Sequence, residues 1–371
     1  MIVVYVYADN PREWNCSNYN CVIPSRAINR TEEHEAYLIY LPEFVSNQPH
    51  IEALCNRADL IIVERNLFGD TLTMMQYWKV RGKNIVTVFD DAYDLIHPEN
   101  TSHDFWTKGK MEQEFPDGKV EDAYMNPTPL AQLKWGLQMV KAGHMPSVNL
   151  CKDWGKYTKT HYIRNCIELS EYQDTKILYP HDAKEIYIGW CGSLSHFASF
   201  LDSGILVAIE NICNKYENVK FLVSGDERIY KALPIDEGRK IFQTFVPKED
   251  WSRLLRSLDI GLAPLVGEYD MRRSWIKVLE YMLLQIPWVA TKCITYDDFT
   301  GFGNLVENTA EGWESGIEDA IQNLESKREF AKGIPYEFAI AQNSDQTLPE
   351  RLAIYQEIID SEYPERIANG I

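Results

Sequence analysis

Short apolar runs alternate with amphipathic or polar stretches along the whole chain. In the first half, strands are predicted at residues 2–7, 37–41, 58–63, 85–89 and 161–165. Helical spacing of apolar residues occurs between several of them, at residues 72–81, 129–141 and 147–154. This alternation of strands and helices predicts a parallel sheet of the α/β class.

The second half repeats the same order. Strands are predicted at residues 186–191, 219–224, 240–246, 258–265, 288–290 and 304–307, and helices at 197–216, 248–257, 274–284 and 313–330. Between the halves, residues 168–185 are polar and lack periodicity, which is typical of a domain boundary. We therefore predict one domain at 1–170 and a second at 171–345. Helices are predicted at 336–342 and 348–359, and residues 346–371 form the closing segment.

The most informative stretch runs from residue 262 to 291, as strand, loop, helix and strand. Ser274 is placed to cap the helix, and Pro287 ends it. Arg272, Arg273 and Lys277 gather at the helix N-terminus, where positive charge opposes the helix dipole. A bound diphosphate would resolve that conflict, and Glu280 has the reach to bind a ribose. A buried helix with surface arginines beside it explains the same pattern.

A second polar group follows the predicted strand at residues 85–89. Asp90, Asp91 and Asp94 lie at its carboxyl end, and His97 follows on a polar loop. Such carboxylates bind Mg²⁺, serve as a general base, or cap the next helix. A loop histidine is most often solvated, although His97 is placed to face a cleft. Residues 101–126 are predicted to form a long binding loop.

Two strand-to-loop junctions are further candidates for ligand contact. The first predicted strand leads into an irregular polar loop at residues 8–21, a common ligand position in α/β domains. After the strand at residues 186–191, Gly192 and Ser193 form a turn that lets backbone approach a phosphate closely.

Composition narrows the functional classes. The chain of 371 residues has 45% hydrophobic and 25% charged residues, as in globular proteins, and a net charge of −18. This charge argues against nonspecific binding to nucleic acid or to an anionic membrane. The eight cysteines form no C-x-x-C pair, so zinc and redox motifs are not expected. Without a long apolar run or a signal-peptide pattern, a cytoplasmic protein with no membrane span is predicted.

The stretch at residues 262–291 resembles the nucleotide-sugar signature of GT-B glycosyltransferases of family 4, the group 1 glycosyl transferases. The matching positions are Pro264, Leu265, Arg273, Ser274, Lys277, Glu280, Tyr281, Pro287 and Val289. Other positions in the order of that family are Tyr19, Asp90, Asp91, Asp94, Leu95, Asn165, Gly192, Ser193, Val246, Pro247, Asp259 and Ile260. Two positions depart from the pattern: Arg272 replaces a usual glutamate and Gln285 a usual glycine.

The resemblance implies two Rossmann-like domains facing a cleft, with the C-terminal helix crossing back to the first domain. It implies transfer of a sugar from a nucleotide-diphosphate sugar, which is a co-substrate, with retention of configuration and with no cofactor and no metal. We assign catalysis to Arg273, Lys277 and Asp91. The donor-binding residues are then Gly192, Ser193, Glu268, Asp270, Arg272, Ser274, Trp275, Ile276 and Glu280, with Glu268 or Asp270 replacing the absent glutamate. The acceptor-side residues are Asp90, Asp94, His97, Tyr19 and Asn165.

Two other functions stay open. A nucleotide-sugar epimerase of GT-B fold would convert the donor without an acceptor, and an inactive sugar-nucleotide-binding or scaffold protein would bind it without turnover. The sequence does not indicate whether the acceptor is a glycan, a small molecule, a protein or modified DNA, although the net charge disfavours DNA. It predicts neither the nucleotide base nor an oligomeric state.

Overall fold

The computed structural model describes residues 1–10, 16–115 and 118–364. The chain divides into two compact units, Met1–Pro98 with Ser102–Ile167 and Ser344–Ile371, and Glu99–Thr101 with Glu168–Asn343. Each unit contains a six-stranded sheet in which every strand pair is parallel. The predicted α/β class is therefore confirmed.

The first unit contains eight strands and eight helices among the described residues. The strands are β1 (Ile2–Tyr7), β2 (Glu35–Tyr40), β3 (Leu60–Glu64), β4 (Asn84–Val88), β5 (Lys110–Glu114), β6 (Val120–Tyr124), β7 (Ala142–Met145) and β8 (Thr160–Tyr162). Its first seven helices are α1 (Ile23–Asn29), α2 (Leu41–Ser46), α3 (Pro49–Arg57), α4 (Asp70–Val80), α5 (His103–Lys108), α6 (Pro129–Leu137) and α7 (Val148–Trp154). A π-helical turn at Asn18–Val22 leads into α1.

The large sheet of this unit has the order β2-β1-β3-β4-β7-β8. Its central strands β1, β3 and β4 are mainly apolar, with Thr87 and Glu64 as buried polar exceptions. The register sets Tyr5 beside Leu38 on one strand and Ile62 on the other. Strands buried on both faces read as continuous apolar runs, which is why the sequence pattern identified them.

The second unit contains six strands and nine helices. The strands are β9 (Ile186–Cys191), β10 (Val219–Ser224), β11 (Lys240–Gln243), β12 (Ile260–Ala263), β13 (Trp288–Thr291) and β14 (Asn304–Val306). The helices are α8 (Phe197–Asp202), α9 (Ile205–Lys215), α10 (Glu227–Ala232), α11 (Lys248–Leu255), α12 (Gly267–Asp270), α13 (Ile276–Leu283), α14 (Ala310–Gln322), α15 (Leu324–Ala331) and α16 (Ile334–Ala341). The strand order is β11-β10-β9-β12-β13-β14.

The last helix, α17 (Ser344–Asp360), belongs to the first unit. Its Leu348, Tyr355 and Ile358 are buried in the same core as Val3 and Tyr5 of β1. The hydroxyls of Tyr5 and Tyr355 lie 2.9 Å apart, so this core also contains a polar contact between the two ends of the chain.

Several predicted elements were wrong in detail. Residues 101–126 form helix α5 and the antiparallel β5–β6 pair within the described range, rather than a loop. Both strands of that pair are largely exposed, so they lack the apolar alternation by which strands are recognised. The predicted helix at 197–216 is two helices, because Gly204 has a φ of +81° and separates them. The strand predicted at 161–165 ends at Tyr162.

Candidate functional site

The sheet of the second unit defines where a ligand is expected. From β9 the chain continues to β10 and β11 on one side, and β12, β13 and β14 follow on the other. The strand order therefore reverses between the neighbours β9 and β12. Ligands of open α/β sheets bind at the carboxyl ends of the strands at such a switch point. Gly192 and Ser193 follow β9 there, and the loop to α13 follows β12.

The loop after β12 is fixed by contacts from the end of β13 and from the segment after β14. The amide of Leu265 donates to the hydroxyl of Thr291 at 2.9 Å, and the side-chain amide of Asn308 donates to the carbonyl of Leu265 at 2.7 Å. Helix α13 begins at Ile276, two residues after the predicted cap. Ser274 still accepts a hydrogen bond from the amide of Ile276, at 3.3 Å.

The buried side chain of Trp275 fixes the start of α13. Its side chain is buried and stacks on Phe299, with ring centroids 5.2 Å apart. Any contact of Trp275 with a ligand would therefore be made by its backbone rather than by its side chain. Ser193, in contrast, is exposed, and its hydroxyl lies 2.9 Å from that of Ser195.

Arg273 is held by three groups from two segments. Its Nε donates to Asp270 at 2.7 Å, one Nη donates to the carbonyl of Ser195 at 3.0 Å, and the other donates to His196 Nε2 at 3.2 Å. The guanidinium also lies over the ring of Tyr269, 4.7 Å from its centroid. Arg273 is thus oriented on the edge of the sheet where an anion is expected.

Asp270 is the buried partner of this arginine. Its side chain is 4% exposed, and it also accepts from the hydroxyl of Ser199 at 2.6 Å and from the amide of Val266 at 2.8 Å. Asp270 therefore orients Arg273. Of the two acids proposed to replace the absent glutamate, Glu268 is the accessible one, with a side chain that is 77% exposed.

His196 was not among the predicted site residues, although the turn that contains it was. Burial lowers its pKa well below the ordinary value, and the charges of Arg273 and Lys277 act in the same direction. The ring is therefore neutral, and since Nε2 accepts from Arg273, its hydrogen lies on Nδ1. The Nδ1 atom is buried without a hydrogen-bond partner among the described residues.

Arg272 stands where the family usually has a glutamate. Its guanidinium donates to the carbonyl of Glu268 at 2.8 Å and forms an ion pair with the carboxylate of the same residue. This pair spans one turn of chain within the loop. It places a cation, rather than a second carboxylate, next to Arg273.

Lys277 lies in an enclosed position between two indole rings. Its Nζ is 5.6 Å from the ring centroid of Trp190 and 5.4 Å from that of Trp251, and it donates to the carbonyl of Cys191. Burial lowers the pKa of Lys277 and Arg273 lowers it further, while Glu280 and Cys191 oppose the change. A nearby phosphate would favour the charged ammonium and so raise the pKa of Lys277. Binding of an anion at this position would therefore offset part of the cost of burying the charge.

Glu280 lies one turn further along α13 and is 1% exposed. Its Oε1 accepts from the hydroxyl of Tyr172 at 2.6 Å and from the indole N–H of Trp251 at 2.8 Å. Neither of these hydrogen-bond donors was predicted from the sequence. Three predicted side chains therefore lie along one edge of the second unit, between the end of β9 and the first turns of α13. They are those of Arg273, Lys277 and Glu280.

The first unit has an equivalent switch point between β1 and β3. Asp90 and Asp91 follow the neighbouring strand β4 at the same edge, and both are partly buried. Burial and the charges of these two carboxylates raise the pKa of the Cys16 thiol. No helix begins near them, since α5 starts at His103 with Ser102 at its cap, so the capping interpretation was wrong.

Glu64 is a further buried carboxyl at this edge, and it was not predicted. It is fully buried at the end of β3 and accepts from the amide of Ala8 at 2.9 Å, from the hydroxyl of Ser17, and from Asn20 at 3.3 Å. Burial raises its pKa from 4.5 to about 7, and Asp90 contributes in the same direction.

The remaining acceptor-side residues lie in the same unit at different depths. Asp94 and His97 are exposed on the loop after β4, Tyr19 is half-buried in the π-helical turn, and Asn165 is buried after β8. Because β8 is parallel to β7, Asn165 follows the carboxyl end of the sheet, as Asp90 does. Residues 11–15 of the predicted loop at 8–21 lie outside the described residues.

Two properties of the described residues bear on metal ions and membranes. Within ranges 1–10, 16–115 and 118–364, no cluster of three or more His, Cys, Asp or Glu side chains is arranged to hold a metal ion. In the same ranges, none of the helices combines the length and apolar character that crossing a bilayer requires. Metal independence and a cytoplasmic location stay predictions.

The fold is that of GT-B glycosyltransferases. It is similar to HepE from Anabaena, solved with UDP and glucose, with a TM-score of 0.63, 12% identity, and coverage of 96% of this chain and 100% of HepE. Sucrose-phosphate synthase from Thermosynechococcus elongatus gives a TM-score of 0.62, 12% identity, and coverage of 97% and 99%. A putative UDP-N-acetylglucosamine 2-epimerase from Listeria monocytogenes gives 0.53, 12%, and 99% of both chains.

Residues 185–323 match the family model described as Glycosyl transferases group 1. This range covers most of the second unit, including Arg273, Lys277 and Glu280. The predicted resemblance to this family is therefore confirmed over residues 185–323, and with it the predicted enzyme class, a glycosyltransferase. A comparison with curated proteins gives no significant match.

Proposed function

We propose that this glycosyltransferase transfers a sugar from a UDP-sugar to an acceptor, with retention of configuration and without a metal ion. The observation that carries the proposal is the paired cationic site formed by Arg273 and Lys277 at the switch point of the second unit. A leaving diphosphate bears the charge that develops in the reaction, and preoriented cations stabilise it.

The donor site is built from residues with separate tasks. Arg273 and Lys277 bind the diphosphate, the backbone amides at Ser274, Trp275 and Ile276 add donors, and Glu280 binds the ribose. The turn at Gly192 and Ser193 approaches the phosphates from β9. Arg272 and Glu268 lie on the sugar side of this site. UDP is the first candidate nucleotide because HepE was solved with UDP and with UDP-glucose.

The acceptor side belongs to the first unit. Asp91, with Asp90 beside it, is the carboxylate proposed to contact the acceptor hydroxyl, and Asp94, His97, Tyr19 and Asn165 complete that side. The chemistry of these groups suits a hydroxyl-bearing acceptor, because carboxylates accept hydrogen bonds from hydroxyls.

A second candidate, a nucleotide-sugar epimerase, has one observation in its favour. The fold is similar to that of the putative epimerase from Listeria monocytogenes, although with a lower TM-score, 0.53 against 0.63 for HepE. An epimerase converts one sugar nucleotide into another and releases no UDP during the conversion.

One reaction mixture separates these functions. The purified protein is incubated with UDP-glucose or UDP-N-acetylglucosamine, with and without EDTA, and the products are separated by chromatography and mass spectrometry. The proposal predicts slow UDP release that EDTA does not change and that Arg273→Ala lowers by about 10²–10³-fold. An isomeric sugar nucleotide without UDP release would establish the epimerase instead. Donor binding without any product would contradict both.

A further inference from the structure

The strongest unassigned feature of the donor site is the pair of hydrogen bonds on Glu280. A carboxylate oxygen has two lone pairs, and Oε1 of Glu280 accepts from Tyr172 and Trp251 at 2.6 and 2.8 Å. Two such bonds to one oxygen of a buried carboxylate fix both its rotation and its plane. Hydrogen bonds to a charged group are stronger than those between neutral groups.

The two hydrogen-bond donors come from different parts of the chain, and helix α11 positions both of them. Trp251 lies on α11, and Tyr172 ends a 3₁₀ turn at Leu169–Tyr172, close to the start of the segment Glu168–Asn343 of the second unit. Both side chains are buried, at 7% and 5% exposure. Their positions relative to Glu280 are therefore set by packing rather than by chance contact at a surface.

Helix α11 also fixes the segment that carries Tyr172. Arg256, at the end of this helix, donates to the carbonyl of Tyr172 at 3.0 Å and to that of Asp174 at 2.9 Å. Arg253 binds the carboxylate of Asp174, with an Nε–Oδ2 distance of 2.8 Å. Helix α11 thus carries Trp251 itself and holds the backbone of Tyr172.

We propose that Tyr172 is a positioning residue for ribose recognition, acting with Trp251 to orient the carboxylate of Glu280. This inference rests on the proposed function, because it takes Glu280 as the ribose ligand. Tyr172 does not contact the donor. It acts through Glu280, and its effect is confined to the nucleoside part of the ligand.

Because the expected effect is confined to the ribose, a comparison of a ligand that has a ribose with one that lacks it gives a specific test. Tyr172→Phe retains the ring and removes one hydrogen-bond donor, so Glu280 is less well oriented. We expect UDP to bind more weakly by a factor of up to about ten, because the contact of Glu280 with the ribose is weakened and not removed. Pyrophosphate, which lacks the ribose, should bind with unchanged affinity. Isothermal titration calorimetry measures both, and thermal unfolding reports whether the variant is folded.

A double-mutant cycle links the tyrosine to the ribose hydroxyls. UDP, 2′-deoxy-UDP and 3′-deoxy-UDP are titrated into the wild type and into Tyr172→Phe. If Tyr172 orients Glu280, removing a ribose hydroxyl costs less affinity in the variant, because the effects are coupled. Additive losses, or an equal loss for UDP and pyrophosphate, would mean that Tyr172 only supports the fold.

Tyr179→Phe is the matched control. This tyrosine lies in the same segment, and its hydroxyl donates to Gln243, away from Glu280. It should leave UDP binding unchanged. If Tyr172→Phe fails to fold, Trp251→Phe removes the other hydrogen-bond donor and should also weaken UDP binding. Because the Trp251 indole also faces Lys277, the coupling to the ribose hydroxyls, and not the affinity for pyrophosphate, decides the test in that variant.

The outcomes also separate this inference from the proposed function. If wild-type protein binds UDP and Glu280→Gln weakens that binding, but neither Tyr172→Phe nor Trp251→Phe changes it, the inference alone is refuted. If the wild type does not bind UDP, the proposed donor is refuted, and the inference with it.

Discussion

Replacement of Arg273 by alanine should have two separable effects, one on stability and one on catalysis. The first arises from Asp270, whose side chain is 4% exposed and loses its ion-pair partner. An uncompensated buried charge costs about 3–5 kcal/mol. We expect the lower end, about 3 kcal/mol, because Ser199 and the amide of Val266 still donate to this carboxylate.

The catalytic effect arises from the loss of charge at the diphosphate. One preoriented donor of this kind contributes about 3–4 kcal/mol to the barrier, or about 10²–10³ in turnover. The double variant Arg273→Ala/Asp270→Asn separates the two effects, since a neutral amide at position 270 removes the buried charge. We expect it to recover most of the lost stability and none of the lost turnover.

Urea unfolding measures the first effect and UDP release from UDP-glucose the second. Arg272→Ala is the control for stability: its partner Glu268 is 77% exposed, so the free energy of unfolding should change by less than about 1 kcal/mol. If the double variant regains both stability and turnover, Arg273 is a structural residue and its phosphate role is wrong. If Arg273→Ala is as stable as the wild type, the buried ion pair is wrong.

Three further predictions follow from other parts of the two sites. Glu280→Gln should weaken UDP binding about tenfold without changing pyrophosphate binding, as titration calorimetry would measure; equal losses for both ligands would contradict the ribose role. The pKa of Glu64 is raised from 4.5 to about 7 in the folded protein, so the folded state binds more protons in that window. The free energy of unfolding should therefore fall by about 3 kcal/mol from pH 4.5 to pH 7 relative to Glu64→Gln, and parallel pH profiles would refute this. Gly225→Ala should cost about 2 kcal/mol or more and weaken donor binding, because φ is +100° and the new Cβ would lie 1.9 Å from the carbonyl oxygen of Gly192. Gly238→Ala, with no atom within 4 Å of its Cβ, should be close to neutral in urea unfolding.

The order of the fold could be predicted because its central strands are apolar on both faces. The strand predicted at residues 288–290 lies within β13, and the one at 258–265 contains β12. The same rule fails where a strand is solvated, as in the β5–β6 pair. It also fails at single backbone positions, because Gly204 divides a continuous apolar pattern into α8 and α9.

Residues close together along one stretch of the chain were recognised from their spacing, as Arg273 just before α13 and Lys277 and Glu280 within it were. Their partners are distant in sequence: Tyr172 is 108 residues from Glu280, and His196 is 77 from Arg273. His196 had a signal, since it closes the Gly-rich turn after β9. Tyr172 had none, because it lies in an aperiodic polar segment whose contacts with α11 exist only in the folded unit.

The central claim is that the edge between β9 and α13 binds a nucleotide-diphosphate sugar. Thermal shift with UDP-, GDP-, dTDP- and ADP-glucose, without an acceptor, tests it most directly, because a ligand that binds only the folded state raises its melting temperature. We predict a clear shift with UDP-glucose that is lost in Arg273→Ala/Asp270→Asn. No shift of the wild-type protein with any of the four donors would contradict the account.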